Sequence, residues 1–263
     1  MEPGADAERI IEELSKGIIE PRIMVVGCGG AGNNIVQSMY GECRSNVETM
    51  AVNTDERKLQ EINAHKKLLI GKDDTLGKGA SGSPEVGERC AICARPYFRD
   101  ALSGSDIVII VAGMGGGTGT GVAPVVAEVS KELNAVTLAI AISPFSFECD
   151  RVQAAKEGIG KLKNVVGNTI VLSNDRLLDM AGDLPIGQSF SVMEKSVARI
   201  VDALCVRITE SFITEMSATD SVAPRIEVEE TAPMTAQEQP ALQASAAEID
   251  PKPSGVDSTL TMR

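Results

Sequence analysis

The sequence predicts an α/β protein: an open, mostly parallel sheet with helices on both faces. Three observations predict it. Residues 107–112 and 136–142 are continuous β-branched runs on either side of a helical stretch, the pattern of parallel strands buried on both faces. Residues 22–39 read as strand, glycine-rich turn and helix in succession. Aromatic residues are scarce (5 Phe, 2 Tyr, no Trp) while Gly reaches 25, so the core must be built from Val, Ile, Leu, Ala and Met around glycine-rich turns.

Taken in order, residues 7–18 place Ile10, Ile11, Leu14 and Ile18 on one helical stripe, an amphipathic extension over 1–20 that ends before Pro21. Residues 22–26 form a first strand, 27–32 a turn, and the helix that follows carries Ile35, Val36 and Met39. Further strands are expected at 47–53 and 67–70. The polar, glycine-rich stretch 71–84 is long for a plain connection and reads as a ligand-facing loop. A single helix is expected at 84–102, another at 118–133 between the two β-branched runs, then a helix at 151–162 and a strand at 169–173. A long helix over 188–216 shows Phe190, Val197, Ile200, Val201, Leu204 and Ile208 on its apolar face. Residues 218–263 are rich in Ala, Pro, Ser, Thr, Gln and Glu, a composition that predicts a disordered acidic tail after a folded domain at 21–217.

A net charge of −12 argues against broad electrostatic capture of nucleic acid or an anionic membrane, since both polyanions are repelled. A small anion held by backbone N–H groups remains compatible with that charge. The apolar runs are far shorter than the roughly 20 residues that span a bilayer, so no direct membrane insertion is expected. Six cysteines in no framework spacing predict reduced thiols in a cytoplasm, and the Cys90/Cys93 pair reads as helix packing, so no metal site is assigned. His65 is the lone histidine, which nearly excludes two-histidine chemistry and leaves a Ser-His-Asp triad one candidate.

Two glycine segments carry the chemistry. Residues 27–32 satisfy G-x-G-x-x-G between strand and helix, with Asp55 roughly 20 residues on, as a dinucleotide fold requires. Residues 113–121, GMGGGTGTG, lie between a buried strand and a helix, where open α/β folds bind ligands. Six of these nine residues are glycine, a run that exposes amide donors and suits the wrapping of phosphates, with Thr118 and Thr120 adding hydroxyls. Gly117→Val is expected to abolish binding and leave the fold largely intact.

The GGGTGTG loop resembles the tubulin and FtsZ superfamily. VVGCGGAGNN (25–34), AVNTD (51–55), GASGSPEVG (79–87), PFSFE (144–148) and SNDRLLD (173–179) resemble FtsZ in the same order, and the likeness covers roughly residues 20–216. It implies GTP or GDP, with Mg2+ entering through the phosphates. It assigns Gly29, Gly30, Ala31, Gly32, Asn33 and Asn34 to a first phosphate and base-contacting loop, and Gly115, Gly116, Gly117, Thr118, Gly119 and Thr120 to the second. The loop at 76–83 corresponds to the segment that senses the terminal phosphate, Glu148 to a ribose-binding carboxylate, and Phe190 to the aromatic that stacks on guanine.

The chain departs from the family pattern in three ways. Arg151 stands one residue before the usual arginine position, which is Val152 here; one helix residue is about 100° of rotation, which turns Arg151 away from the usual direction. Glu194 replaces the usual Asp or Asn that reads guanine, keeping a carboxylate on a longer arm. After the long helix comes SATDSVAPRIEVEE, where FtsZ continues into an acidic loop and a second α/β domain; that domain is expected to be absent, and no catalytic residue is assigned. The resemblance implies a GTP-binding protein of cell division or cytoskeletal organisation. Its partners are FtsZ-like proteins, another copy or a full-length homologue, and hydrolysis is impaired or dependent on a partner chain. A self-assembling GTPase is the alternative, and an NAD-dependent oxidoreductase the outsider.

Overall fold

β-branched and small apolar residues, placed where both faces are covered, form the sheet. A computed structural model describes residues 20–176, apart from 42 and 45, and residues 186–220. Six strands, β1 (Ile23–Cys28), β2 (Val47–Asn53), β3 (Lys66–Leu69), β4 (Ile107–Gly113), β5 (Val136–Ser143) and β6 (Thr169–Ser173), pair in the order β3-β2-β1-β4-β5-β6. All five pairings are parallel. Successive β1 side chains alternate between two cores. Met24, Val26 and Cys28 pack with Val108, Ile110 and Ala112 on one face, and Ile23 and Val25 with Ile107, Ile109 and Val111 on the other.

The first face is covered by α4 (Pro84–Cys93), α5 (Arg95–Leu102), α6 (Gly117–Glu132) and α7 (Cys149–Val165), the second by α1 (Gly29–Met39), α2 (Glu56–Glu61) and the long α8 (Ile186–Asp220). A short turn, α3 (Lys72–Thr75), lies between β3 and α4. Helix α8 meets α1 with one stripe, in which Met193, Val197, Ala198, Val201 and Cys205 are buried.

The structure corrects four local expectations. The helix at 84–102 is two helices that break at Ala94, because Pro96 has no N–H and its ring excludes the carbonyl one turn back. No separate turn occupies 27–32: β1 runs through Cys28 and α1 begins at Gly29. Helix α2 was unanticipated, since ERKLQE has no apolar period; its start is fixed by Asp55, whose Oδ1 accepts from the Lys58 amide at 3.1 Å. The long helix runs from Ile186 to Asp220, four residues past its expected end at 216. The helix expected at 7–18 and the tail from 221 onward lie outside the described residues.

Cys28, Cys90 and Cys205 are buried, and burial pushes the Cys28 and Cys205 thiols up to about 12. Cys93 is exposed, so the Cys90/Cys93 pair divides between core and surface. Thiol labelling of the native protein at mildly alkaline pH is expected to modify Cys93 and Cys149 quickly, and Cys28 and Cys205 only after unfolding. Peptide mass mapping checks this; rapid native labelling of Cys28 would contradict it.

Candidate functional site

β1 and β4 lie side by side with Cys28 opposite Ala112, and strand order reverses between them. The crevice at such a reversal is where open parallel sheets take their ligands. Both glycine segments leave the sheet here, and a cleft of about 630 Å³ opens against them. Gly29 has φ +71°, and a Cβ on it would lie 2.7 Å from the Gly119 amide nitrogen, so the two segments touch through glycine. Gly115 has φ +93°, and its N–H donates to Thr120 Oγ1 at 2.8 Å, which pins the second loop from behind. Thr118 Oγ1 lies 2.7 Å from Thr54 Oγ1, tying that loop to the end of β2.

The glycines divide by what surrounds them. Gly30 and Gly116 line the cleft, and a Cβ on either would meet no protein atom within 4 Å. Packing therefore gives no reason for glycine at these two positions, whereas backbone approach by a ligand does. Gly117 also lines the cleft, but a Cβ there would sit 2.8 Å from the Ser83 carbonyl oxygen and 2.9 Å from Ala80 Cβ. Gly117→Val therefore disturbs the packing of the 80–83 loop as well as the cleft, contrary to the expectation that it would leave the fold intact.

The opposite end of the cleft is aromatic. Phe145 stacks on Phe147 with ring centroids 5.0 Å apart and 8° between planes, and meets Phe190 edge-on at 5.6 Å. Phe145 is buried, while Phe147 (70% exposed) and Phe190 (41%) present open ring surface. Beside them Glu194 Oε1 accepts from Asn34 Nδ2 at 2.6 Å. Glu148 Oε1 accepts from the Phe145 amide at 3.1 Å, and its Oε2 pairs with Arg151 Nη1 at 2.7 Å.

Of the residues singled out in the sequence, Gly30, Ala31, Gly116, Gly117, Thr118, Gly119, Glu148, Arg151, Phe190 and Glu194 line this one cleft. Arg151 lies there despite its shifted position, turned toward Glu148. Gly29, Gly32, Asn33, Asn34, Gly115 and Thr120 stand behind the wall. A Cβ on Gly32 would overlap the Val111 carbonyl oxygen, Asn34 reaches Glu194, and the Thr120 hydroxyl is taken by Gly115.

Sequence reasoning missed Lys58 and gave Asn53, Asn174 and Lys78 no role of their own, although all four are in the cleft wall and the two asparagines stand in the AVNTD and SNDRLLD motifs. The AVNTD motif pointed at Asn53; Lys58 carried no signal because α2 was not foreseen. Asn53 Nδ2 and Asn174 Oδ1 are buried without a hydrogen-bond partner. Orphaned amide groups in a cleft wall are what a polar ligand satisfies. Open amides at one end and aromatic surface with a carboxylate at the other fit a nucleotide: phosphates to the glycines, base to the rings.

Comparison with known proteins agrees with this geometry. The model described as "Tubulin/FtsZ family, GTPase domain" matches residues 22–182. Cell division protein FtsZ 2 of Haloferax volcanii is 43% identical over 210 residues, covering 80% of this chain and 52% of that protein. Cell division protein FtsZ 2 of Methanocaldococcus jannaschii is 44% identical over 185 residues, covering 70% of this chain and 49% of that protein. Among solved structures, an empty FtsZ dimer from M. jannaschii superposes with a TM-score of 0.72 at 38% identity, covering 78% of this chain and 59% of that one. The chain spans about half the length of the curated relatives it matches.

Proposed function

The chain belongs to the tubulin/FtsZ family through its GTPase domain, and from that premise we propose that it is an FtsZ-like GTP-binding protein of cell division or cytoskeletal organisation. The observation that carries this is the pair Gly30 and Gly116, open where a Cβ would point, in the same cleft as Phe190 and Glu194. GTP or GDP would set its phosphates on the amides of the two glycine loops, its ribose beside Glu148 and its base against Phe190 and Glu194. Mg2+ would enter with the phosphates. The nucleotide supplies the phosphoryl bond; the chain supplies amides, aromatic surface and water exclusion.

Among the described residues three carboxylates line the cleft, and each is engaged: Asp55 caps α2, Glu148 holds Arg151, and Glu194 holds Asn34. Alignment of a water for attack on the terminal phosphate therefore falls to a carboxylate from another chain, an FtsZ-like protein. Self-assembly is the second reading, favoured by the dimeric state of the M. jannaschii relative. Phosphate release per molecule of the isolated chain is expected to be slow and independent of concentration. A steep rise with concentration would favour self-assembly.

Denaturing the purified protein and separating what it releases tests the nucleotide reading: guanine nucleotides are expected, and adenine nucleotides or nicotinamide dinucleotide would overturn it. Glu194→Gln removes a carboxylate that accepts from the guanine ring N–H and amino group. GTP affinity should fall about tenfold with ATP affinity unchanged, a difference read by calorimetry. An unchanged ratio would remove Glu194 from base recognition.

A further inference from the structure

We infer that Lys58 and Lys78 form a cationic pair that recognises the terminal phosphate, so that this chain distinguishes tri- from diphosphates by its own side-chain charge. The inference rests on the nucleotide reading above and assigns two residues that reading does not need. Both lysines line the cleft at its glycine end. Lys78 is carried there by the loop that packs Ala80 and Ser83 against Gly117, and Asp55 and Lys78 are joined by an antiparallel β-bridge, which brings Lys58, one turn into α2, to the same corner.

Pairing separates these two from Arg151, the third cation among the described residues that line the cleft, which is held by Glu148. Lys58 and Lys78 ion-pair with no described residue, in a chain of net charge −12 where carboxylates outnumber cations. Among the described residues the one carboxylate lining this end is Asp55, whose Oδ1 is committed to the Lys58 backbone amide. Asn53, 3% exposed, adds an Nδ2 donor with no partner in the same wall. Two ammonium groups and a free amide donor against one carboxylate leave this corner net positive. An added terminal phosphate brings extra negative charge to such a corner, and charge-assisted hydrogen bonds are the strong kind.

The test compares GTP, GDP and inorganic tripolyphosphate binding to the full chain by calorimetry, with and without chelator, in wild type, Lys58→Gln, Lys78→Gln and Lys78→Arg. Each glutamine variant is expected to lower GTP and tripolyphosphate affinity about tenfold and to change GDP affinity less than about twofold. Lys78→Arg should restore most of the loss. Both side chains are on the surface, so the melting temperature should not move. Equal losses for GTP and GDP, or none for either triphosphate, would overturn the inference. If guanine nucleotides fail to bind while tripolyphosphate binds and weakens in the glutamine variants, the guanine reading falls and the cationic pair stands.

Discussion

Gly116→Val is expected to lower GTP affinity by about 100-fold while leaving the melting temperature within a degree or two. Gly116 precedes α6 in an extended conformation (φ −95°, ψ 166°) that a β-branched residue adopts without strain, and a Cβ there meets no protein atom within 4 Å. The fold therefore has no use for glycine at this position. The side chain would instead fill cleft space beside the second glycine loop and hold phosphate off the amides. Losing two charge-assisted hydrogen bonds at roughly 1.5–3 kcal/mol each accounts for at least that factor. Calorimetric titration and a thermal melt of the same preparation check both halves. Unchanged affinity would mean that the phosphates lie elsewhere.

Gly121→Ala should do the opposite: lower stability by about 3 kcal/mol, with the melting temperature falling by roughly 10 °C. Gly121 is the fifth residue of α6, where α4 crosses so closely that a Cβ would overlap the Pro84 carbonyl oxygen and the Glu88 amide. Gly87 on α4 is pressed in turn against the Gly117 carbonyl. The helices meet backbone to backbone, so even one methyl forces them apart. A melting temperature within 2 °C of wild type would contradict the close approach.

These two substitutions show where the sequence stopped being legible. GMGGGTGTG announced a glycine loop at the carboxyl end of a buried strand; the segment lies there, but Gly113 ends β4 and Gly117 to Gly121 already belong to α6, so the loop itself is short. A glycine needed for a ligand and one needed for a helix crossing are the same letter, however. Only the packing of α4 on α6 separates Gly116 from Gly121. Strands β2 and β6 were readable to the residue: TIVLS is a mostly β-branched run, and VETMAVN is an apolar stretch that stops at the polar Asn53-Thr54-Asp55 turn. Helix α2 was not readable, since six residues without apolar period are held by one capping carboxylate and by tertiary contact. With α2 unseen, Lys58 could not be placed in the cleft. Arg151 illustrates the converse. Its position one residue early suggested that it turns away, but the tight pairing with Glu148 at the start of α7 keeps it at the cleft.

The central claim is that the cleft at the β1–β4 reversal holds a guanine nucleotide. Calorimetric titration of the full chain, stripped of any co-purified ligand, with GTP and then with ATP tests it most directly. The account predicts saturable binding of one GTP per chain, with ATP at least about tenfold weaker, on the proposal that the Glu194 carboxylate, which Asn34 holds in place, reads the base edge. Equal affinities for the two nucleotides, or the absence of binding by either, would contradict it.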